Sequence, residues 1–420
     1  MSRNEKHTSG RRWAWGLVLL VVIGAGGWVG YTRWQAAQLE KQAQAAYLQG
    51  ETLRGLGKME EAAAFYQQAV EIKPDYAQAW ANLGVVRAAR EQYSEAASSF
   101  DKALELNPGI FEARIGLALC MGGLGNFSEA EANYKKAIEL RPDFAEIYYS
   151  LGYLYQQQNL YEEAVPQYEK ALQLKPTFVP ALANLGKVQQ LMHNPGEAIA
   201  WYQRALAISP REGPLHLDLG NSYLDLADYP AAKAAYQQAV ELGVQSGRLF
   251  HNLGVITQQE GSLEAAKNYY RRALQLDTTY AETYYRLGTT MEKLGEELQA
   301  AALYFRTLRV DPDYTSAYYN LAQLYFRQGR AEEGQQIMKI FQDLKEYERQ
   351  RKDKAATLEK NPRDPQAAYA LGMVHFDYKR YKKSREFFEQ ALKLNPDFAP
   401  AREKLAEIDN LKPPAAAALN

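Results

Sequence analysis

The sequence predicts an all-α protein, a right-handed superhelical α-solenoid of about ten helix pairs preceded by a single N-terminal transmembrane helix. Three observations predict this fold. An uncharged apolar run occupies residues 13–31, and the dipeptide Leu-Gly then recurs at a fixed period, as at 151–152, 185–186 and 219–220. Each period holds two apolar helical patterns separated by a short polar turn. Such repeats cannot bury their apolar faces alone, so they must stack on one another.

Composition excludes several classes of protein. Of the 420 residues, 47% are hydrophobic and 24% are charged, which argues against wholesale disorder and against a polytopic membrane protein. A formal net charge of -1 provides no field that would attract nucleic acid. The single cysteine, Cys120, excludes an internal disulfide and a cysteine-cluster metal site.

The N-terminal segment 1–42 carries a pattern that predicts a membrane anchor. It holds six basic and two acidic residues, although the whole chain is slightly acidic. As a helix, the uncharged run WAWGLVLLVVIGAGGWVGY would span about 28 Å, close to the thickness of a hydrocarbon core. Aromatic residues mark both of its ends, as in interfacial belts. The sequence therefore predicts a basic cytoplasmic tail at 1–12, a transmembrane anchor at 13–32 and a linker at 33–42.

A cleaved signal peptide is the alternative interpretation of these residues. The apolar run is longer than the usual signal-peptide core, and the best cleavage site, Ala43-Gln44-Ala45, lies well beyond its end. We therefore favour an uncleaved anchor. The basic residues before the span place the N terminus in the cytoplasm and everything after Thr32 on the other side. Gly26 and Gly30 form one GxxxG motif, which permits a weak homodimer through the anchor.

The repeating segment has a detailed pattern. Leu-Gly stands at 83–84, 151–152, 185–186, 219–220, 253–254 and 287–288. One repeat reads Trp80-x2-Leu83-Gly84-x2-Arg87, followed by Ala96-x3-Phe100, Ala103 and Pro108. This pattern resembles the tetratricopeptide repeat, and the resemblance covers nearly everything after the anchor. The predicted segments are repeats 1–9 at 43–348, a charged helical extension at 349–364, repeat 10 at 365–398, a capping helix at 399–411 and a disordered tail at 412–420.

Physical reasons explain the repeated residues. The two helices of a repeat can approach closely because position eight is glycine or alanine and position twenty is alanine. Bulky residues at positions four, seven, eleven and twenty-four fill the space around that contact. Proline at position thirty-two ends the second helix. Val244 and Thr278 replace that proline, which predicts less sharply ended helices there. Position one of repeats 1–10 is, in order, Ala43, Ala77, Phe111, Ala145, Val179, Gly213, Gly247, Ala281, Thr315 and Pro365.

Repeat 9 departs from the pattern. The next Leu-Gly, at 371–372, comes later than the period predicts, after a charged segment that is poor in large apolar residues. We interpret this segment as an extension of the second helix, about 24 Å longer than usual if wholly helical.

The sequence contains no pattern typical of catalysis. Its five histidines form no HExxH motif or other ligand spacing, and GxGxxG, GxxxxGK[ST] and GxSxG are absent. His375 occupies a core position that usually holds tyrosine. We therefore predict a non-enzyme with no cofactor, no metal and no small-molecule substrate.

Function must then depend on a surface. On the first helix of each repeat, positions two, six, nine and thirteen lie opposite the core, with five and twelve at the margin, and stacking should place that side on the concave wall. Position six holds Asn82, Gly116, Ser150, Asn184, Asp218, Asn252, Arg286 and Asn320. This row resembles the asparagine ladder of the O-GlcNAc transferase repeats, which implies that the amides grip the backbone of an extended peptide. The alternative is that these asparagines are merely solvated.

Position five adds aromatic residues to the predicted groove. Tyr149, Tyr285 and Tyr319 each follow another tyrosine, so we expect the first ring of each pair, such as Tyr284 or Tyr318, in the core and the second at the groove margin. Exposed tyrosine beside Arg286 has the composition of an interface hot spot. The alternative is that the second ring packs on the neighbouring helix.

The resulting hypothesis is a membrane-anchored scaffold of the bacterial cell envelope, in the inner membrane with a periplasmic repeat domain. Its groove would bind an extended or helical segment of a protein client while a larger complex assembles. Resemblance to anchored repeat proteins of pilus biogenesis, secretion and c-type cytochrome maturation supports this class. Two alternatives stay open: a permanent structural subunit of a membrane complex, and a targeting subunit of a separate enzyme.

Overall fold

The computed structural model describes the backbone of residues 9–411 and the side chains of residue 28 and residues 31–411. Helices and the short turns between them make up the described part of the chain, with no strand among its residues, and it divides into two compact units between Leu242 and Gly243. This boundary lies beside Val244, one of the two places where the sequence lacks the proline that ends a second helix.

The N-terminal unit contains twelve helices. They are α1 (Ser9–Gly55), α2 (Met59–Ile72), α3 (Ala77–Ala89), α4 (Tyr93–Leu106), α5 (Phe111–Gly123), α6 (Phe127–Leu140), α7 (Ala145–Gln157), α8 (Tyr161–Leu174), α9 (Val179–Leu191), α10 (Pro195–Ile208), α11 (Gly213–Asp225) and α12 (Tyr229–Glu241). The C-terminal unit contains α13 (Gly247–Gln259), α14 (Leu263–Leu276), α15 (Ala281–Lys293), α16 (Glu297–Val310), α17 (Thr315–Arg327), α18 (Ala331–Lys360), α19 (Pro365–Asp377), α20 (Tyr381–Leu394) and α21 (Ala399–Asn410).

Within each unit the helices pair as the period predicts. The first helix of a repeat packs on its own second helix and on the second helix of the preceding repeat, which builds a helical solenoid. The close approach that glycine at position eight was predicted to allow is present. At Gly186, for example, an added Cβ would lie 2.8 Å from the ring of Tyr202, which is itself fully buried.

The turn between the two helices of a repeat has a fixed conformation. Position fifteen lies in the left-handed region in every repeat, as at Gly125 with φ 80° and at Glu91 with φ 61°. Glycine adopts this conformation without steric cost, so the non-glycine repeats accept some strain at the same point.

A second recurring contact joins consecutive repeats. In several repeats where position thirty-two is proline, its carbonyl oxygen accepts a hydrogen bond from the side chain at position four of the next repeat. These bonds include Trp80 to Pro74 at 2.9 Å, Arg114 to Pro108 at 3.1 Å, Tyr148 to Pro142 at 3.0 Å and Tyr318 to Pro312 at 3.2 Å. The proline therefore ends one helix and anchors the start of the next.

Helix α1 begins within the predicted N-terminal tail and continues into repeat 1. The predicted linker, residues 33–42, is helical and belongs to α1. Most of the predicted anchor falls on residues whose side chains lie outside the described set, as do the basic tail at 1–12 and the tail at 412–420. Within the described part of the chain, no helix is both long enough and apolar enough to cross a membrane.

Two helices near the C terminus correspond to the irregular part of the sequence. Helix α18 has 30 residues, compared with 14 for the second helix α16, and it continues through the charged segment to Lys360. It packs against α19, the first helix of repeat 10. Helix α21 follows repeat 10 and buries Ala401 and Ile408 against it.

Candidate functional site

The asparagines at position six form hydrogen bonds between repeats. In three of the four, the side-chain Nδ2 donates to the hydroxyl of the tyrosine at position five of the preceding repeat. These bonds are Asn82 to Tyr47 at 3.1 Å, Asn184 to Tyr149 at 3.2 Å and Asn320 to Tyr285 at 3.2 Å. The bond can recur because the first helices of successive repeats lie side by side, as α7 and α9 do.

Aromatic packing holds the tyrosines at position five in place. Each ring except Tyr319 lies between the aromatic residues at positions twenty-four and thirty-four of its own repeat. The ring-centroid distances are 5.8 and 5.1 Å from Tyr149 to Tyr168 and Phe178, and 5.9 and 4.9 Å from Tyr285 to Tyr304 and Tyr314. Burial raises the pKa of the Tyr149 and Tyr285 hydroxyls. For these two residues the structure favours the alternative in which the second ring packs on its neighbours.

The alternative that the asparagines at position six are merely solvated is wrong for Asn82, which is only 8% exposed. Asn184, Asn252 and Asn320 are half-buried. The amides are nevertheless not saturated, because an asparagine side chain has two donors and an acceptor. The Oδ1 atoms of Asn184 and Asn320 accept no hydrogen bond from the described residues.

In the predicted hot spot of the C-terminal unit, Arg286 already makes a hydrogen bond and an ion pair within the protein. Arg286 Nε donates to Glu282 Oε1 at 2.6 Å, and Tyr314 also donates to the Glu282 carboxylate. Burial opposes ionisation of Glu282, but these two hydrogen bonds and the charge of Arg286 outweigh it and lower the pKa of the carboxyl.

Tyr319 differs from the other position-five tyrosines. It is 44% exposed, and its ring lies 5.4 Å from Phe341 on α18. Tyr318 is only half-buried, so the expectation that it is a core residue was wrong, whereas Tyr284 is buried as expected. Position four lies against the end of the preceding repeat, where the Tyr318 hydroxyl donates to the carbonyl oxygen of Pro312, and it is half-buried in other repeats as well, as at Trp80.

Sequence reasoning missed an apolar cavity at the first helices of repeats 2 and 3. Its volume is about 560 Å³. The residues that define it are Val85, Phe100, Ile115, Gly116, Leu119 and Phe144. An added Cβ at Gly116 would lie 2.3 Å from the Phe100 ring, so a larger residue would displace that ring. Leu119 is 53% exposed at the cavity.

A sequence signal for the cavity exists. Repeats 2 and 3 place Ala, Val, Ile, Gly and Leu at positions five, nine and twelve, where the other repeats mostly carry polar or aromatic residues. The rim is polar but neutral, since Glu112 and Arg141 approach each other to 3.7 Å and both are exposed.

Two of the histidines are buried structural residues. His251 Nδ1 lies 2.9 Å from Thr283 Oγ1, and His375 Nδ1 lies 2.9 Å from the Tyr347 hydroxyl. Burial lowers the pKa of each imidazole to about 4. Among the described residues, no group of three or more histidine, cysteine, aspartate or glutamate side chains is placed to hold a metal ion.

Comparison with known families gives a consistent result along the chain. Models of the TPR repeat match residues 50–89, 123–159 and 258–295. Models of the tetratricopeptide repeat match residues 77–110 and 145–178, 178–246, 303–336 and 365–398. Together these matches cover more than half of the chain. No curated protein sequence is significantly similar to it.

Several solved structures are similar to parts of the chain. MamA has 26% identity and a TM-score of 0.37, covering 39% of this chain and 95% of its own. The pilF protein of Pseudomonas aeruginosa has 21% identity and a TM-score of 0.45, covering 52% and 97%. YrrB, described as a TPR protein with an unusual peptide-binding site, has 18% identity and a TM-score of 0.37, covering 57% and 97%.

Proposed function

Because this chain belongs to the tetratricopeptide repeat family, we propose that it is a membrane-anchored scaffold for protein–protein interactions. The side of the first helices that carries positions five, six, nine and twelve binds an extended segment of a client protein. Binding holds that segment while a complex of the cell envelope assembles.

The apolar cavity of repeats 2 and 3 is the observation that carries this proposal. It lies on the side of the first helices that carries the asparagine row, since Gly116 occupies position six and Val85, Ile115 and Leu119 occupy positions five and nine. A cavity of about 560 Å³ lined by Val85, Ile115, Leu119 and Phe144 suits one or two bulky apolar side chains. Such a pocket would bury an apolar anchor residue of the client, and anchor residues of this kind contribute most of the binding energy in protein interfaces.

The half-buried amides of Asn184 and Asn320 supply the second component of binding. Asn184 already donates one hydrogen bond within the protein and Asn320 donates two, so each side chain is fixed in orientation before a client arrives. Its Oδ1 remains available to accept a backbone N–H of the client. Pre-orientation lowers the entropy cost of binding, and an amide reads no particular sequence.

The cell-envelope location rests on the N-terminal sequence. The uncharged run at 13–31 and the basic residues before it support a single-pass anchor with repeats on the non-cytoplasmic side of the bacterial inner membrane. Protease added to intact spheroplasts should therefore digest the repeats. Repeats that resist protease until the membrane is lysed would contradict this orientation.

Site-specific crosslinking in cells tests the binding surface. A photo-reactive phenylalanine derivative would replace Leu119 in the cavity, Tyr153 at position nine of repeat 4, or Leu140 on the second helix α6. All three side chains are exposed, and Leu140 serves as the matched control because it is 45% exposed, as is Tyr153.

We expect the same client to crosslink from positions 119 and 153 but not from 140. Crosslinking from 140 alone would place the interface on the second helices and contradict the proposal. Salt-stable co-purification of the client at fixed stoichiometry would favour a permanent structural subunit instead.

A further inference from the structure

Seven repeats carry a tyrosine at position twenty-four, and the hydroxyl of Tyr202 in repeat 5 lacks the hydrogen bond that most of the others make. In five repeats the tyrosine hydroxyl donates to a side chain at position nine or twelve of the first helix of the same repeat. The pairs are Tyr66 with Glu51, Tyr168 with Gln156 at 2.6 Å, Tyr236 with Asn221 at 2.9 Å, Tyr270 with Gln258 at 3.0 Å and Tyr304 with Glu292 at 2.5 Å. Tyr202 of repeat 5 is 0% exposed, yet its hydroxyl has no hydrogen-bond partner among the described residues.

The residues of α9 explain why this hydroxyl lacks a partner. Position nine is Lys187, whose ammonium group only donates and cannot accept the hydroxyl proton. Position twelve is Gln190, whose Nε2 is directed towards repeat 6, where it donates to Asp225 Oδ2 at 3.0 Å. Repeat 5 therefore has the buried tyrosine of its neighbours without their acceptor.

A carboxylate occupies the neighbouring place in the next repeat. Between repeats 8 and 9, position six faces the tyrosine at position twenty-four, since Asn320 Nδ2 donates to the Tyr304 hydroxyl at 3.4 Å. The equivalent residue beside Tyr202 is Asp218. Burial, and after it the charge of Asp218, raises the pKa of the Tyr202 hydroxyl, which places the two groups in the same electrostatic environment.

Asp218 also lacks a partner. Its carboxylate is half-buried and makes no hydrogen bond or ion pair with any described residue. Burial raises its pKa, and Lys187 opposes this from a distance without forming an ion pair. Most other acidic side chains on the first helices of this unit form ion pairs. These pairs are Glu51 with Arg54 at 3.0 Å, Glu112 with Arg141 at 3.7 Å and Glu146 with Lys175 at 2.8 Å.

We propose that Asp218 and Tyr202 form a recognition site for a basic side chain, lysine or arginine, of the client segment. The proposal rests on the proposed function and specifies the chemistry of its partner. An ammonium or guanidinium group donates several hydrogen bonds and accepts none, so it would donate to the Asp218 carboxylate and to a lone pair of the Tyr202 oxygen together, while the carboxylate is the acceptor for the hydroxyl proton. The positive charge complements the acidic residue that the fold leaves without a counter-ion.

Selection from a peptide pool tests this site on the full-length protein in detergent micelles. The probe is a synthetic pool of short random peptides, and the retained peptides are sequenced by mass spectrometry. The wild-type protein should enrich lysine and arginine over aspartate and glutamate. Asp218→Asn should weaken binding of the enriched basic peptides about tenfold, since hydrogen bonds to charged groups are the strong ones. Asp218→Lys should retain acidic peptides instead.

Matched variants separate the site from a general charge effect. Asp225→Asn removes an acidic residue of the same helix that is exposed and already bonded to Gln190, so the enrichment should persist. Tyr202→Phe should keep its melting temperature, since no bond is lost, but should reduce the preference for basic peptides. A fall in melting temperature for Tyr202→Phe would show that the hydroxyl has an internal partner, and it would overturn the site.

Failure of this inference and failure of the proposed function give different results. If the wild type retains peptides without enriching basic residues, or if Asp218→Asn leaves the enrichment unchanged, the basic-residue site is wrong while peptide binding stands. If the wild type retains no peptide at all, the proposed function itself fails and the site fails with it.

Discussion

Replacing Asn184 by alanine and Tyr149 by phenylalanine, singly and together, measures whether the row at position six stabilises the fold. The two side chains are joined across repeats 4 and 5 by a hydrogen bond of 3.2 Å. The sequence alone suggested an asparagine on a wet face, whose loss would barely change stability. The structure indicates a half-buried bond between adjacent first helices, so its loss should lower the free energy of unfolding.

The expected magnitude follows from the contacts. Tyr149→Phe keeps the ring packing against Tyr168 and Phe178 and removes only the hydroxyl, so it should cost about 1 kcal/mol, the usual net contribution of a neutral hydrogen bond. Asn184→Ala should cost a similar amount. The double variant should cost less than the sum, with a coupling energy of roughly 0.5–1 kcal/mol.

Two measurements would provide this coupling energy. Urea unfolding followed by circular dichroism reports global stability, but long repeat arrays can unfold in more than one step. Amide hydrogen exchange of α7 and α9 would therefore report the local effect. Gln157→Ala is the control, because Gln157 is exposed on α7 and its replacement should change stability by less than about 0.5 kcal/mol. Additive single effects would refute the bond and return Asn184 to the set of solvated groove residues.

Three further predictions concern buried groups. Tyr168→Phe should destabilise the protein by about 1 kcal/mol, because it removes the hydroxyl that donates to Gln156. Tyr202→Phe should be neutral or stabilising, because the Tyr202 hydroxyl has no hydrogen-bond partner among the described residues. Thermal melts of the two variants compare these effects directly. Gly186→Ala should lower the free energy of unfolding by roughly 1–3 kcal/mol, because the added Cβ would lie 2.8 Å from the Tyr202 ring. Gly196→Ala is the control: no atom lies within 4 Å of its added Cβ, so it should be neutral or stabilising. Equal urea midpoints for the two variants would contradict the close approach at Gly186. The pKa of His251 is lowered to about 4 in the folded protein, below its unfolded value, so the unfolded chain binds more protons as the pH falls. This group should therefore reduce the free energy of unfolding by about 2 kcal/mol between pH 7 and pH 5. Thermal melts at several pH values should show that His251→Gln lacks this contribution to the pH dependence of stability.

Much of the fold was predictable because the determinants are local. Proline at position thirty-two, glycine at position eight and the apolar helical pattern act within one repeat or between its two helices. They fix helix length, the close approach of the pair and the need to stack. Even the irregular segment after repeat 9 could be interpreted as a helix, since the charged part of α18 contains no proline or glycine before Lys360.

The candidate site was predictable only in part. Helical periodicity identifies the side of the first helix that faces away from its own repeat, and this included Asn184, Asn320 and Tyr319. Periodicity within one helix cannot show what the next helix brings to that side. Asn184 was predicted only as a ligand-binding amide, but its hydrogen bond to Tyr149 shows that it also links two repeats.

By itself, the sequence determined the repeat, its length, its helix ends and the absence of known catalytic motifs, since each of these depends on neighbours in the chain. The tertiary structure decided which polar groups on the first helices have partners and which do not. Whether such a group has a partner depends on the residues of adjacent repeats. Tyr202 has no acceptor in its own repeat, and the proposed site exists only because Asp218 of the next repeat lies beside it. The cavity at Gly116 has the same origin, because its depth is set by the Phe100 ring of the preceding repeat.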